Sequence, residues 1–94
     1  MGEKREANWD LISFVVSGSL RLKVLIALSK NVLTPSQLKE LTGAQISRIS
    51  STLRELRDKN MVECLTPEKR KGRLYTITPL GKQVIEKIHE LTEV

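Results

Sequence analysis

The sequence QISRISSTLRELRDK, residues 45–59, contains the pattern around which the rest of the chain is arranged. Its apolar side chains recur at intervals of three and four residues, which places them on one side of an α-helix. They are Ile46, Ile49, Leu53 and Leu56. On the polar side, no acidic residue occurs before Glu55. The spacing therefore predicts an amphipathic helix whose polar face lacks negative charge over its first turns.

The composition of that polar face suits an approach to the major groove of DNA. Short hydroxyl side chains allow the helix to come close, and Arg or Gln side chains reach the edges of bases. The residues are Gln45, Ser47, Arg48, Ser51 and Arg54. Arg48 is the candidate for a bidentate contact with guanine, and Arg54, further along, is expected at the phosphate backbone. The alternative is an ordinary amphipathic helix whose polar face is only hydrated.

The length, composition and charge of the chain narrow its possible functions. The 94 residues make one domain, residues 1–94, with a modest core and too little chain for a deep enzymatic cleft. Aromatic residues are only 3% of the chain, so the core must be built from Leu, Ile and Val. The net charge of +5 favours a polyanionic partner, either nucleic acid or anionic lipid. The distribution of the positive charge has to decide between the two.

The N-terminus and the cysteine content indicate an intracellular protein. Residues 1–7 are polar, lack the apolar segment of a signal sequence and are expected to be disordered. No run approaches the roughly 18 apolar residues that a membrane span needs. Cys64 is the only cysteine, which excludes an internal disulfide and is typical of the reducing cytosol. We therefore expect a cytoplasmic protein without a membrane partner.

Two apolar helices are predicted in the first third of the chain. Asn8 suits the N-cap of a helix that begins at Trp9 and is apolar on nearly every side, so it needs cover on more than one side. A second copy of the chain is one possible cover, and the rest of its own domain is the other. Gly18 suits the C-terminus of this helix, and Ser19 suits the N-cap of the next. The second helix is strongly apolar, with two basic residues expected outside, Arg21 and Lys23.

Residues 34–59 have the signature of a helix-turn-helix. Thr34 suits an N-cap, and Pro35 suits the first helical position. Gln37 then completes a capping box with Thr34. Gly43 suits the left-handed turn that separates this short helix from the amphipathic one. The apolar residues of the short helix that are expected to face inward are Leu38 and Leu41.

A basic hairpin, residues 61–78, follows the helix-turn-helix. Two strand-like stretches, residues 61–65 and 74–78, enclose a polar loop, and residues 31–33 are a candidate for a minimal third strand. The loop has four basic residues and one acidic residue, so the tip of the hairpin is positively charged. The basic residues are Lys69, Arg70, Lys71 and Arg73. The alternative role of such a tip is solubility and protection of a sheet edge.

With a last helix predicted over residues 79–92, the sequence resembles the winged helix-turn-helix transcriptional regulators, of the ArsR- and MarR-like kind found in bacteria and archaea. TPSQLKELTGAQISRISSTLRELRDKNMVE, residues 34–63, is similar to their positioning helix, turn and recognition helix, with Asn60 where the family usually has Gly. GRLYTITPLGKQVI, residues 72–85, is similar to the end of their wing and a "Tyr-x-Leu-Thr-x-x-Gly" entry to the last helix. That entry is carried by Tyr75, Ile77, Thr78 and Gly81. The likeness covers about residues 20–90.

The resemblance implies an α+β, mostly helical fold. This is a winged helix-turn-helix with a two- or three-stranded β-wing and extra N- and C-terminal helices. It also implies a homodimer on double-stranded DNA, with dimer contacts from the terminal helices. The candidate interface residues are Trp9, Ile12, Phe14, Val16, Ile88 and Leu91. Metal-sensing members carry Cys-rich or His/Asp-rich ligand sets, whereas this chain has only Cys64 and His89, so we expect no metal and no other cofactor.

Together these patterns predict a sequence-specific DNA-binding regulator that is not an enzyme. The amphipathic helix would enter the major groove, and the basic tip would contact a flanking phosphate or the minor groove. Thr34 and Ser36 lie where the free N–H groups of a helix start would bind a phosphate. The alternative is a winged-helix protein–protein interaction module with little or no specific DNA binding. Catalysis would need a nucleophile with a base partner, for which one His and one Cys are too few. The sequence shows no effector pocket.

Overall fold

Seven elements make up the part of the chain that the computed structural model describes, residues 9–92. The first four are helices: α1 Trp9–Val16, α2 Ser19–Lys30, α3 Pro35–Thr42 and α4 Ile46–Asp58. They are followed by the strands β1 Val62–Cys64 and β2 Tyr75–Ile77 and by the helix α5 Pro79–Thr92. This order confirms the predicted winged helix-turn-helix, with extra helices at both ends. The predictions for residues 1–7 and for Asn8 concern positions outside the described range.

Helix α2 is the centre of the packing, since it lies against α1, α3, α4, α5 and β2. Val24 and Leu25 on this helix have no exposed surface. Around them the core consists almost entirely of Leu, Ile and Val, and Tyr75 is the aromatic side chain buried among them. Burial of this apolar surface is the main force that holds the helices together. The core therefore has the aliphatic composition that the scarcity of aromatic residues predicts.

The corner between α1 and α2 differs from its prediction. The chain bends by 106° there. Among residues 9–92, no single helix has the length and apolarity to cross a membrane, and only α1 and α2 taken together meet that test. Gly18 is the extended N-cap of α2 and not the C-terminus of α1, and Ser19 is the first helical residue. Helix α1 ends at Val16, and Ser17 follows it in a turn, where its backbone N–H donates to the Ser13 carbonyl and its hydroxyl to the Phe14 carbonyl.

The wing is a short antiparallel hairpin in which Val62 pairs with Ile77 and Cys64 with Tyr75. A third segment joins it at a single residue, because Leu33 exchanges two backbone hydrogen bonds with Tyr75, at 2.9 and 3.1 Å. Of the minimal strand predicted at residues 31–33, only Leu33 pairs with the hairpin, as an isolated bridge, and within residues 9–92 the sheet itself has two strands. The bridge also ties the link between α2 and α3 to the base of the wing.

The chain passes from α4 into β1 through a left-handed residue, Asn60, whose φ is 65°. The Thr78 hydroxyl donates to the Asn60 carbonyl at 2.7 Å, and the Thr78 N–H donates to the Met61 carbonyl at 3.0 Å. The same hydroxyl accepts from the Gly81 N–H at 3.1 Å, which caps α5. Gly81 is buried so tightly against this corner that a Cβ atom would lie 2.4 Å from the Met61 carbonyl oxygen. The start of α5 is therefore locked to the end of α4.

Two apolar residues expected in the core are exposed. Leu41 is 65% exposed because α3 ends one residue later and Leu38 alone fills the buried position of this short helix. Ile46 is 43% exposed because it is the first residue of α4, and burial on that helix starts at Ile49. Both predictions are wrong for the same reason: each residue lies at a helix end, beside the turn, where the neighbouring helices do not cover it.

Candidate nucleic-acid interface

The start of α3 is fixed by the predicted capping box. The Thr34 hydroxyl accepts from the Gln37 N–H at 3.2 Å, and the Gln37 side-chain oxygen accepts from the Thr34 N–H at 2.8 Å. Pro35 is the first helical residue. The backbone N–H and the hydroxyl of Thr34 are therefore both bonded to Gln37. Of the two predicted phosphate contacts at this helix start, Ser36 is the exposed one.

The turn between α3 and α4 has the predicted left-handed glycine. Gly43 has a φ of 77° and donates its N–H to the Lys39 carbonyl at 2.8 Å, and it occupies the C-cap position of α3. The Thr42 hydroxyl donates to the Leu38 carbonyl at 2.8 Å and accepts from the Ala44 N–H at 3.2 Å. These bonds satisfy the ends of the turn and fix the direction in which α4 begins.

Helix α4 separates its buried and exposed residues sharply. Ile49 and Leu56 have no exposed surface, and Leu53 and Thr52 are also buried. The candidate DNA-reading residues on the helix are all exposed: Ser47, Arg48, Ser51 and Arg54. Gln45 is exposed as well, as the N-cap residue, and its side chain makes no capping bond. The first turn contains no acidic residue, so its positive dipole end is not neutralised.

The tip of the hairpin is closed by its own backbone and by one arginine. Lys69 donates its N–H to the Thr66 carbonyl at 3.1 Å, and Leu74 donates its N–H to the Thr66 hydroxyl at 3.0 Å. The Arg73 guanidinium donates to the Lys69 carbonyl, and its side chain is partly buried. Arg73 therefore shapes the tip. The exposed basic residues of the tip are Lys69, Arg70 and Lys71.

The basic side chains of the candidate interface have no acidic partner within the described part of the chain. The ion pairs found there are Arg21 with Glu55, at 3.0 Å, and Lys87 with Glu90, at 3.3 Å. Neither pair involves the exposed face of α4 or the tip of the hairpin. Unpaired exposed guanidinium and ammonium groups are available to phosphates or base edges.

A cleft of about 390 Å³ separates α4 from the corner between α1 and α2. Ser47, Arg48 and Ser51 lie on one wall of this cleft, so three of the candidate residues share one surface, and Thr52 and Glu55 complete that wall. Gln45, Arg54 and the basic tip do not line it. On the opposite wall the residues are Ser17, Gly18, Ser19, Leu20 and Arg21.

Arg21 is a residue whose role the sequence did not reveal. It was expected to point outward, yet its side chain is only 24% exposed and pairs with Glu55 on α4. The two residues are 34 positions apart, so no local spacing links them. In the sequence, Glu55 is distinguished only as the first acidic residue after the acid-free start of α4. Nothing in the sequence indicates that it pairs with Arg21.

The six candidate dimer residues divide into three groups by their exposure. Ile12 and Ile88 are each 5% exposed within one chain, because they belong to the core, and they leave little surface for a partner. Phe14 is partly buried against Arg21, whose guanidinium lies 3.9 Å from the centre of its ring. The remaining candidates are broadly exposed: Trp9, Val16 and Leu91. A dimer interface at this end of the molecule stays a prediction, with these three residues at its centre.

The single cysteine and the single histidine lie apart from the candidate interface. Cys64 is a free, partly buried thiol on β1, where it pairs with Tyr75. His89 is exposed in the last turns of α5. Across residues 9–92 no group of three or more His, Cys, Asp or Glu side chains is arranged to hold a metal ion.

Comparisons with known proteins give a family and a set of similar folds. The family model described as the HVO_A0261 N-terminal domain matches residues 9–94. No curated protein sequence matches the chain. Among solved structures, the multiple antibiotic resistance repressor MarR has a TM-score of 0.70 and 26% identity, over 87% of this chain and 64% of MarR. The chain thus spans a little less than two thirds of MarR.

Two further structures show the same fold at lower identity. A putative transcriptional regulator of the MarR family from Enterococcus faecalis V583 has a TM-score of 0.77 and 18% identity, over 96% of this chain and 87% of that protein. The transcriptional repressor BigR from Xylella fastidiosa has a TM-score of 0.70 and 20% identity, over 88% and 81% of the two chains. The resemblance stated from the sequence is confirmed. The chain belongs to the family of the HVO_A0261 N-terminal domain, and its fold is the winged helix-turn-helix of the MarR-like transcription regulators.

Proposed function

We propose that this protein is a sequence-specific, double-stranded DNA-binding transcription regulator. The observation that carries the proposal is the exposed face of α4, the second helix of a helix-turn-helix. Two of its four residues are arginines without an acidic partner among residues 9–92, and none of the four is acidic. They are Ser47, Arg48, Ser51 and Arg54. The similarity to MarR, which is named as a repressor, supports a regulatory role. The three similar structures described above are all named as regulators or repressors, which favours a protein without catalytic activity.

In this proposal α4 lies in the major groove of DNA. Arg48, in the first turn and exposed, makes a bidentate contact with guanine, which is worth roughly 1–3 kcal/mol of discrimination against other bases. Ser47 and Ser51 allow the backbone to approach, and Arg54 contacts a phosphate. Gln45 precedes the helix and contacts a base edge or phosphate. The exposed Ser36, in the first turn of α3, suits a contact with a further phosphate.

The basic tip provides a second contact, with a flanking phosphate or the minor groove. Lys69, Arg70 and Lys71 are its exposed cations, and Arg73 adds the part of its guanidinium that does not close the loop. Each phosphate neutralised by such a cation steepens the salt dependence of binding by about 0.9 in the slope of log K against log salt. The tip therefore contributes mainly affinity, and α4 contributes mainly specificity.

A titration of fluorescent duplex DNA at several salt concentrations tests the tip. We expect the variant with Lys69, Arg70 and Lys71 changed to Ala to flatten the slope by about 2–3, since it loses about three phosphate contacts. The matched control changes Lys23, Lys30 and Lys82 to Ala, which are exposed and lie outside the proposed interface. Equal effects of the two triple variants would mean that only net charge matters and that the tip is not a contact.

A second titration tests the face of α4. Arg48→Ala should lose the discrimination between the bound sequence and a scrambled duplex, whereas Arg57→Ala, an exposed arginine at the other end of α4, should retain it. The alternative function, a protein–protein interaction module, predicts that DNA binding by the parent chain disappears at physiological salt. That result would overturn the proposed function itself.

We also propose that the protein acts as a homodimer in the cytoplasm, where DNA is accessible to it. Trp9, Val16 and Leu91 supply an exposed apolar surface on the terminal helices. Sedimentation at tens of micromolar should give a dimer, and Trp9→Ser should shift it towards monomer. Leu41→Ser is the control, because Leu41 is as exposed as Trp9, at 65%, but lies on α3. A parent chain that sediments as a monomer would exclude this interface.

A further inference from the structure

The guanidinium of Arg21 joins three helices. From its position on α2, its Nε donates to Glu55 Oε1 on α4 at 3.0 Å. Its Nη1 donates to the backbone carbonyl of Phe14, on α1, at 2.7 Å and to the Ser17 hydroxyl at 3.2 Å. A guanidinium is planar and rigid, so donors used in three directions fix the relative positions of the three acceptors.

The Phe14 side chain is the second part of this connection. The Arg21 Cζ lies 3.9 Å from the centre of its ring, and the Lys59 Nζ lies 5.3 Å from it. Both distances are within the range of cation–π attraction. Lys59 is the C-cap residue of α4, so α1 touches α4 at its end as well as through Arg21. We call the set of Phe14, Arg21, Glu55 and Lys59 the Phe14 joint.

The Phe14 joint matters because α1 and α4 otherwise share only one main packing partner, α2. Helix α1 lies mainly against α2 and α5, and α4 lies mainly against α2, α3 and β1. Apolar packing on a shared α2 allows small rotations of either helix, whereas charge-assisted hydrogen bonds have strict directions. Removing the Arg21 donors would therefore leave both helices packed but their mutual angle less defined.

We propose that Arg21 is a positioning residue that sets the angle of α4 against α1. This inference rests on the proposed function for its consequence on DNA: in a dimer joined through α1, that angle determines the separation of the two α4 helices. Half-sites in DNA are separated by about one helical turn, roughly 34 Å, so the separation of the two helices selects the spacing of the half-sites. Arg21 then controls which spacing is bound without touching DNA itself.

The first experiment measures the angle in the absence of DNA. Cys64→Ser removes the only cysteine, and spin labels are attached at Asp10→Cys on α1 and Ser50→Cys on α4, two exposed positions outside the proposed DNA contacts. Labelled chains are diluted into unlabelled ones, so that only distances within one chain are recorded. We expect Arg21→Met to broaden or shift the distance distribution, and Lys23→Met, an exposed lysine on the same helix, to leave it unchanged.

The second experiment measures binding to duplexes whose two half-sites are separated by different numbers of base pairs. The parent should prefer one spacing, and Arg21→Met should lose that preference while still binding a single half-site. Glu55→Ala should behave as Arg21→Met does, and Glu55→Gln should retain the preference, because its amide oxygen still accepts the Arg21 hydrogen bond. A variant that was merely less stable would bind less overall but would keep the parent's preferred spacing.

The two measurements separate the inference from the proposed function. If Arg21→Met has the parent's distance distribution and spacing preference, Arg21 does not position α4 and the inference is overturned. If the parent binds no DNA, the proposed function fails, and the distance distribution alone decides whether Arg21 sets the angle between the helices.

Discussion

Gly81→Ala is the substitution for which the structure predicts the clearest effect. A Cβ atom at this position would lie 2.4 Å from the Met61 carbonyl oxygen and 2.6 Å from Ile77 Cγ1. Ordinary contacts of these kinds are about 3.3 Å for carbon to oxygen and about 3.5–4.0 Å between carbons. The start of α5 would therefore have to move by about 1 Å away from the corner between α4 and β1. One of the two obstacles is backbone, which cannot rotate aside.

Three contributions determine the size of the effect. Replacing Gly by Ala inside a helix stabilises it by about 1 kcal/mol. Overpacking a buried site costs about 1–3 kcal/mol. The movement also strains the 3.0 Å hydrogen bond from the Thr78 N–H to the Met61 carbonyl, which is worth about 1 kcal/mol. The losses exceed the gain, so we expect Gly81→Ala to lower the free energy of unfolding by about 1–3 kcal/mol. For a chain of this size the melting temperature would fall by roughly 4–24 °C.

Urea denaturation followed by circular dichroism, at matched protein concentrations, measures this change. The slope of the free energy against urea should stay constant while the midpoint falls. Gln83→Ala, two residues later on the exposed side of α5, is the control and should change stability by less than about 0.5 kcal/mol. If Gly81→Ala is as stable as the parent or more so, the close contact at this corner does not exist and the reasoning is wrong.

Five further substitutions test three local features with the same denaturation assay. Thr34→Ala should cost about 1 kcal/mol, because it removes the hydroxyl that accepts from the Gln37 N–H; no loss would mean that the capping box does not form. Asn60→Ala should be less stable than Asn60→Gly by about 1 kcal/mol, since φ at this position is 65°, and the reverse order would contradict the left-handed conformation. Leu38→Ala should lower the free energy of unfolding by about 2–5 kcal/mol, and Leu41→Ala by less than about 0.5 kcal/mol. Similar losses for the two variants would mean that Leu41 is buried as well.

Features that depend on neighbouring residues could be predicted from the sequence. The capping box needs a hydroxyl and an amide three residues apart, and Thr34 and Gln37 supply both. Gly43 and Asn60 are residue types that tolerate positive φ, and both adopt it. These structures are decided within a few residues, so a correct local chemistry was sufficient to locate them.

Features that depend on distant residues could not be predicted. Helical periodicity assigned Leu41 and Ile46 to the inner side by their angle around the axis, but it contains no information on where the neighbouring helix ends. Arg21 appeared as a solvated residue of α2, because its acceptors on α1 and α4 become neighbours only after folding. For the candidate site, the exposed face of α4 followed from the sequence, whereas the cleft beside it and the Phe14 joint required the structure.

The bridge between Leu33 and Tyr75 brings the two ends of the middle segment of the chain, residues 34–74, close together. Its two backbone hydrogen bonds join Leu33, the residue before the N-cap of α3, to the first residue of β2. The chain between them, from α3 to the tip of the wing, therefore begins and ends at neighbouring residues. A segment closed in this way keeps its ends together when its interior changes. Residues 34–74 of another winged-helix protein could replace this segment, and transfer their DNA preference, only if they supply the same core side chains on α3 and α4 and the same partners for Arg21 and Gly81.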